Sequence, residues 1–192
     1  MDNQVRLPEE RNLWNILEVS IATCRKLETQ RIQQRAHRPR SRMRWHAWAT
    51  GVAVVACVES GVPRGMLVSS LTPLSTDPAS VLFCIRKAAL SYEALSRSSH
   101  CSIAILSDAD QAEAERFSRA ERFNERFDPS TWTQESGQLP EFENALISMV
   151  GSIDRLIDVG SHDIFIVNIT SIRHRTADPL VYFDRRYHTL KI

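Results

Sequence analysis

A strand with hydroxyl side chains at its end is the first feature of the sequence that could bind a ligand. Residues 65–72 read Gly-Met-Leu-Val-Ser-Ser-Leu-Thr, an apolar run that predicts a strand and then gives way to small polar residues. Exposed amides and hydroxyls at such an edge could hydrogen-bond a flat polar heterocycle laid along the backbone. The same pattern is also typical of a strand that leaves its sheet through an ordinary turn, and the residues alone leave both interpretations open.

A basic pair followed by a helix start is the second such feature. Residues 86–91 read Arg-Lys-Ala-Ala-Leu-Ser, and Ser91 is suited to cap a short helix that reaches Arg97. A phosphate placed there could contact Lys87, the Ser91 hydroxyl and the free amides at the helix start. The alternative is a capped helix without a ligand.

Several motifs of enzyme chemistry are missing from the chain. The sequence contains no GxGxxG after a strand, no GxxxxGK[ST], no HExxH and no GxSxG, so it lacks the signatures of the corresponding nucleotide-binding and hydrolytic sites. The histidines show no pair at ligand spacing beside an acid, so we expect no metal site. We expect the four cysteines to be reduced and buried, because they form no CxxC and three lie within apolar runs. These are Cys24, Cys57, Cys84 and Cys101.

The length and composition describe an ordinary globular protein. The chain has 192 residues, of which 43% are hydrophobic and 24% charged, which predicts one folded domain rather than a disordered chain. No apolar run approaches the roughly 20 residues that span a bilayer, so we expect no membrane partner. Residues 1–8 lack the pattern of a secretory signal, and we therefore expect a cytoplasmic protein.

Charge divides the chain into a basic extension and a domain. Residues 1–49 carry ten Lys or Arg against five Asp or Glu, whereas residues 50–192 carry fourteen against eighteen. Apolar periodicity predicts a helix over residues 8–35, and a run of arginines follows it. We therefore assign residues 1–42 to an N-terminal helical, basic extension and residues 43–192 to the domain.

Three roles are open for the arginine-rich segment 31–44. It could dock an acidic partner or nucleic acid, or it could be a solvated tail or a helix that clasps a second copy of the chain. Because it has few aromatic residues on which bases could stack, we do not expect nucleic acid to be its partner.

Short strands account for most of the domain. Patterning predicts strands at 50–59, 64–71, 79–86, 100–106, 145–157, 163–174 and 180–183, with 187–190 extending the last, and helices at 91–97 and 107–118. Six or seven strands joined mostly by turns favour a closed antiparallel barrel, because parallel neighbours need long crossovers. The helices would lie outside the barrel or close one end.

Several blocks of the sequence, taken together and in order, resemble the short flavin reductase family. Members of this family are small reductase components that supply reduced flavin to two-component monooxygenases. The resemblance covers about residues 41–190, and its specificity lies in the combination of blocks. The blocks are residues 50–55, residues 65–72, the Asp77-Pro78 break, the strand ending at Arg86-Lys87, residues 160–162 and residues 179–183.

The resemblance implies a mainly β fold and a redox function. The expected fold is a six-stranded antiparallel split β-barrel with Greek key connectivity and flanking helices, paired as a homodimer with a flavin groove near the dimer interface. The implied activity is NAD(P)H:flavin oxidoreduction, in which hydride passes from NADH or NADPH to FMN or FAD for a partner monooxygenase. The alternative is a flavin-binding barrel without turnover, which would serve as a flavin carrier or an interaction module.

The resemblance also implies which residues contact the cofactors. The isoalloxazine edge would meet Met66, Leu67, Val68, Ser69 and Ser70, the phosphate would lie near Lys87, Ala88 and Ser91, and Phe117 and Ser118 would border the flavin. Gly160, Ser161 and His162 would help to hold the nicotinamide. No catalytic residue is implied, because the cofactors supply the hydride chemistry and the protein stacks and orients two rings.

The sequence departs from the family pattern at two blocks. Ala88, Ala89 and Leu90 stand where family members carry serines or threonines, so we expect a different or weaker phosphate site. Ser161 replaces the aspartate of a Gly-Asp-His block, which removes a carboxylate beside His162.

Overall fold

The computed structural model describes residues 45–135 and 138–190. The predicted helix at 8–35, the arginine-rich segment 31–44 and Cys24 lie outside these residues. Within the described part of the chain, no helix is long and apolar enough to cross a membrane.

Antiparallel strands form most of the described structure, which confirms the predicted mainly β class. In chain order they are β1 (Thr50–Gly51), β2 (Ala53–Glu59), β3 (Val62–Val68), β4 (Thr72–Thr76), β5 (Ala79–Arg86), β6 (His100–Ile105), β7 (Trp132–Thr133), β8 (Glu141–Phe142), β9 (Ile147–Asp158), β10 (His162–His174), β11 (Leu180–Phe183) and β12 (Arg186–Thr189). The helices are α1 (Tyr92–Arg97) and α2 (Gln111–Ser118), and 3-10 turns span Trp45–Ala47, Asp108–Asp110 and Ala120–Glu125.

Seven of these strands build one sheet in the order β3-β2-β6-β9-β10-β5-β4. Every pairing in it is antiparallel. β2 lies beside β6 and β5 beside β10, so several neighbours are far apart in sequence, as Greek key connections require. The remaining strands form two smaller sheets, β1-β11-β12 and β7-β8.

One face of the large sheet collects side chains from six strands into a single core. Alternation along each strand points every second residue to this interior. β4 adds no member to this core, and all of its residues are exposed. The buried strand residues of the core are Ala53, Val55 and Cys57 of β2, Val68 of β3, Val81, Phe83 and Ile85 of β5, Cys101 and Ile103 of β6, Met149 of β9, and Phe165 and Val167 of β10.

Two serine hydroxyls connect β3 and β5, which share no main-chain ladder. The Ser70 hydroxyl accepts the Cys84 N–H at 2.9 Å and lies 3.3 Å from the Cys84 carbonyl, to which it donates. The Ser91 hydroxyl, just beyond β5, donates to the Gly65 carbonyl of β3 at 2.7 Å. Side chains thus bridge a seam that main-chain ladders bridge elsewhere in the sheet.

The opposite face of β2 and β6 packs under α2. Its cluster includes Val54 of β2, Ala104 of β6 and Phe117 of α2, with Trp132 of β7 and Leu180 of β11. Because β2 has a core on both faces, five consecutive residues of it are buried.

The predicted strand at 50–59 is interrupted at Val52. β1 pairs with β11, whereas β2 pairs with β3 and β6. Val52 is buried, and its carbonyl accepts the Leu106 N–H at 3.1 Å. The chain therefore passes from one sheet to another at a single residue, which a continuous apolar run does not reveal.

The strands differ from the sequence prediction in two places. β3 ends at Val68 rather than Leu71, and β4 follows it as a separate exposed strand. β4 was not predicted because Pro73 and its polar neighbours lack the alternation of a half-buried strand. The short β7-β8 pair was also missed, since two residues per strand are too few to show a period.

Candidate functional site

A cavity of about 910 Å³ opens beside β3, between the barrel and α2. Its lining residues are Met66, Leu67, Val68 and Ser69 of β3 and the segment that follows it; Arg86, Ala88, Ala89, Leu90 and Ser91 after β5; Gln111, Glu115, Phe117, Ser118, Arg119, Ala120 and Arg126 from α2 onward; Tyr182, Arg185, Arg186 and Tyr187 of the β11-β12 hairpin; and Val52.

Most of the residues expected to hold a flavin lie together in this cavity. Those that line it are Met66, Leu67, Val68, Ser69, Ala88, Ser91, Phe117 and Ser118. Ser70 and Lys87 lie outside its lining, as do the three residues expected to hold the nicotinamide, Gly160, Ser161 and His162. Ser70 serves the β3-β5 seam instead, and the other four lie together in a separate cluster.

β3 gives the cavity an open main-chain edge. It is the outermost strand of its sheet and pairs with β2 on one side only, with Met66 opposite Val55 and Val68 opposite Ala53. On the other side its N–H and C=O groups have no strand partner in this sheet. Such an edge can hydrogen-bond a planar heterocycle.

The Gly65 carbonyl of β3 binds side chains from two other parts of the chain that line the cavity. It accepts the Ser91 hydroxyl at 2.7 Å and Arg126 Nη1 at 2.8 Å. The Ser91 side chain therefore makes no capping bond to α1, contrary to the predicted cap, because its buried hydroxyl is used across the seam. A β-carbon at Gly65 would lie 2.7 Å from the Val55 carbonyl oxygen and 2.8 Å from the Phe127 ring.

An aromatic cluster fixes the outer wall. Phe117 is 2% exposed, and its ring centroid lies 5.0 Å from that of Phe127 and 5.3 Å from that of Trp132. The Trp132 indole N–H donates to Glu113 of α2 at 2.7 Å. The Arg126 guanidinium lies 5.5 Å from the Phe117 ring centroid, in range for a cation–π contact. Phe117 thus belongs both to the core and to the cavity wall.

Lys87 belongs to an ion-pair cluster beside the cavity. Its Nζ lies 2.5 Å from Asp158 Oδ2 and 3.3 Å from Asp163 Oδ1, the latter an ion pair without hydrogen-bond geometry. The Tyr92 hydroxyl donates to Asp163 Oδ2 at 2.5 Å. The bond to Asp158 raises the pKa of Lys87, and the bond to Asp163 raises the pKa of Tyr92.

The Gly160–His162 turn is held by this cluster. The Gly160 N–H donates to Asp158 Oδ1 at 2.7 Å, and the Lys87 N–H donates to the Ser161 carbonyl at 3.0 Å. Hydrogen bonds from Lys87 and from the Gly160 amide keep the pKa of Asp158 low. In the β10-β5 ladder His162 stands opposite Arg86, which lines the cavity. The turn is thereby fixed next to the cavity's edge.

Replacing Lys87 with methionine will lower the thermal midpoint at neutral pH, because Asp158 and the buried Asp163 lose their cation. The pKa of Asp158 is depressed below 3.8, so its contribution is present above that pH and is lost as the pH falls through the depressed pKa. The pKa of Lys87 is raised above 10.5, so its contribution is present below that pH and is lost as the pH rises through the raised pKa.

Thermal melts across pH test this cluster. The deficit of K87M should be full between these limits and should shrink as the pH falls below 3.8. Arg155→Met is the matched control, because it removes an exposed ion pair with Asp154. A K87M deficit equal to that of the control at neutral pH would contradict the interpretation.

Arginines and tyrosines of the cavity were not predicted as site residues. Arg86, Arg119, Arg126, Arg185 and Arg186 line it with Tyr182 and Tyr187. They come from three separate parts of the chain, and only the fold brings them together. The available signal was Arg185, which stands in a two-residue hairpin loop where glycine is favoured.

Metal-binding clusters are absent from residues 45–135 and 138–190, and two of the cysteines there are buried. No group of three His, Cys, Asp or Glu side chains in these ranges could hold a metal ion. Burial raises the pKa of Cys57 to about 11 and that of Cys101 to about 12, so both thiols stay protonated at neutral pH. Cys84 is half-buried.

Comparisons with known proteins agree with the fold. The profile of the flavin reductase like domain matches residues 45–191. FMN reductase (NADH) RutF of Pseudomonas syringae is 27% identical over 143 residues, which cover 74% of this chain and 80% of that protein.

Solved structures of flavin reductases are also similar to this chain. The Streptomyces globisporus NADH:FAD oxidoreductase SgcE6, in complex with NAD and FAD fragments, is 26% identical with a TM-score of 0.69, covering 77% of this chain and 88% of that one. The styrene monooxygenase flavin reductase of Pseudomonas putida S12 is 25% identical with a TM-score of 0.67, covering 79% and 97%.

Proposed function

This chain belongs to the flavin reductase like domain family, and from that premise we propose that it is an NADH:flavin oxidoreductase that supplies reduced flavin to a partner monooxygenase. The relatives named above are an FMN reductase, an NADH:FAD oxidoreductase and the reductase of a styrene monooxygenase. The observation that carries the proposal is the cavity, in which an open strand edge faces a buried aromatic wall.

The residues of the cavity fit a flavin. The main chain of Met66–Ser69 would hydrogen-bond the edge of the ring system, while Phe117 and Ser118 border it. Arg86, with Ala88 and Ser91 beside it, would meet the phosphate, since Lys87 is occupied by two carboxylates. A guanidinium suits a phosphate well because it donates two parallel hydrogen bonds.

Orientation is the contribution that this protein makes to the reaction. When bound, the flavin accepts the hydride that the nicotinamide gives up, so no acid–base pair of the protein is needed. Gly160, Ser161 and His162 would hold the nicotinamide beside that ring system, with Lys87 and Asp158 keeping the turn in place. Holding two rings in contact replaces a bimolecular encounter with a positioned one.

The proposal extends to assembly and location. We propose a homodimer, which the exposed edge strand β4 supports: all of its residues are exposed and Leu74 is 49% exposed. We also propose a cytoplasmic protein in which residues 1–42 form an extension to a domain at 43–192.

Flavin-dependent oxidation of NADH by the purified full-length chain tests the proposed function. We expect NADH to be consumed only when FMN or FAD is present, and reduced flavin to accumulate under anaerobic conditions. The absence of donor oxidation with every pairing of FMN or FAD with NADH or NADPH would contradict the proposal.

A further inference from the structure

The arginines of the described chain divide sharply by their partners. Seven of the twelve form ion pairs with carboxylates, and Arg126 donates to main-chain carbonyls. Within residues 45–135 and 138–190, four arginines form neither an ion pair nor a side-chain hydrogen bond. These four, Arg86, Arg119, Arg185 and Arg186, all line the same cavity.

The arginines give the lining of the cavity a strongly positive charge. Five arginines line it, and Glu115, which accepts a hydrogen bond from Gln111 at 3.0 Å, is the acid in the lining. The lining therefore carries a formal charge of +4, and the dianion of a single FMN phosphate would leave about half of it unmatched. A second anionic group on the ligand would balance the rest.

Three of the unpaired arginines come from elements other than the segment after β5 that carries Arg86. Arg119 follows α2, whereas Arg185 and Arg186 lie at the β11-β12 hairpin. Tyr187 of the hairpin packs against the cluster that contains Phe117 of α2, and burial raises its pKa. The three guanidinium groups thus come from two elements that meet at one wall.

The hairpin holds Arg185 in a backbone conformation that glycine adopts more readily. Phe183 pairs with Arg186, so the loop is two residues long, and Asp184 and Arg185 have φ values of 47° and 63°. Two-residue turns of this type favour Asn-Gly or similar pairs. The tip is anchored by the Asp184 N–H, which donates to the His46 carbonyl at 2.7 Å. Strain of this kind gathers at functional sites.

We propose that Arg119, Arg185 and Arg186 bind a diphosphate, the group that FAD and the nicotinamide dinucleotides share and FMN lacks. The inference deepens the proposed function and rests on it for the identity of the nucleotides. Four non-bridging oxygens on two phosphorus atoms suit three two-pronged donors that approach from two elements. Arg86 remains for the phosphate nearest the flavin ring.

Binding of ADP to the full-length chain tests this site without turnover. Arg185→Gly removes the cation and relaxes the backbone at the hairpin tip, so the variant should fold. Calorimetry should show ADP binding about tenfold weaker in R185G, with riboflavin binding unchanged. Arg185→Lys should recover part of the loss, and Arg155→Gln, which removes a paired arginine outside the cavity, should bind ADP like the parent protein.

Two further measurements identify the source of the diphosphate. A lower ratio of FAD to FMN affinity in R185G assigns it to the flavin, whereas a higher KM for NADH with that ratio unchanged assigns it to the nicotinamide donor. Unchanged ADP binding, equal losses for AMP and ADP, or an equal loss for riboflavin would overturn the diphosphate site. Failure of the proposed function would show instead as absent NADH oxidation in the parent protein.

Discussion

Replacing Gly65 with alanine will lower the free energy of unfolding by about 3 kcal/mol and weaken flavin binding in the same variant. The new β-carbon would lie 2.7 Å from the Val55 carbonyl oxygen, which cannot move without disturbing the β2-β3 ladder. Relieving this contact would push β3 outward. The carbonyl of residue 65, which accepts hydrogen bonds from Ser91 and Arg126, would move with it. Urea unfolding and flavin titration measure the two effects.

Gly51→Ala provides the matched control, because a β-carbon there meets no atom within 4 Å. Its unfolding free energy should stay within about 0.5 kcal/mol of the parent value. If both alanine variants unfold at the same urea concentration as the parent, the close approach at Gly65 is not a constraint on the cavity.

Replacing Phe117 with alanine will cost about 3 to 5 kcal/mol of stability, the usual penalty for a large buried aromatic side chain. The ring is 2% exposed and touches Phe127, Trp132 and Arg126, so its loss leaves a void where the outer core meets the cavity. Phe117→Leu fills most of that void and should recover more than half of the loss, as measured by urea unfolding.

Phe183, which is 40% exposed on β11, gives the comparison for this test. Phe183→Ala should change the unfolding free energy by about 0.5 kcal/mol or less, since water already reaches the ring. If Phe183→Ala lowered the free energy of unfolding as much as Phe117→Ala, burial in the aromatic cluster under α2 would not explain the effect at Phe117.

Local pattern was sufficient for the strands whose residues face one core. β5, β10 and β11 have nearly their predicted bounds, because alternating or fully apolar runs bounded by Pro and Gly carry that information within a few residues. The break at Val52 could not be predicted, because it depends on a partner strand that follows more than a hundred residues later.

The candidate site was predictable in part, for the same reason. The residues of β3 and the segment after β5 are short, contiguous blocks, and the structure brings most of them into one cavity. Lys87 and Arg86 could not be told apart by sequence, because Asp158 and Asp163, which occupy Lys87, lie more than seventy residues away. The arginines of the hairpin likewise converge with Arg119 only in three dimensions.

The seam between β3 and β5 is held by serine hydroxyls and not by a main-chain ladder, so we expect it to open more readily than the paired strands. Isolated side-chain hydrogen bonds can break one at a time, whereas a ladder of amides must part in concert. We therefore expect motion to concentrate between Ser70 and Ser91, beside Met66–Ser69 on one side of the cavity. A ligand would therefore enter the cavity along this seam.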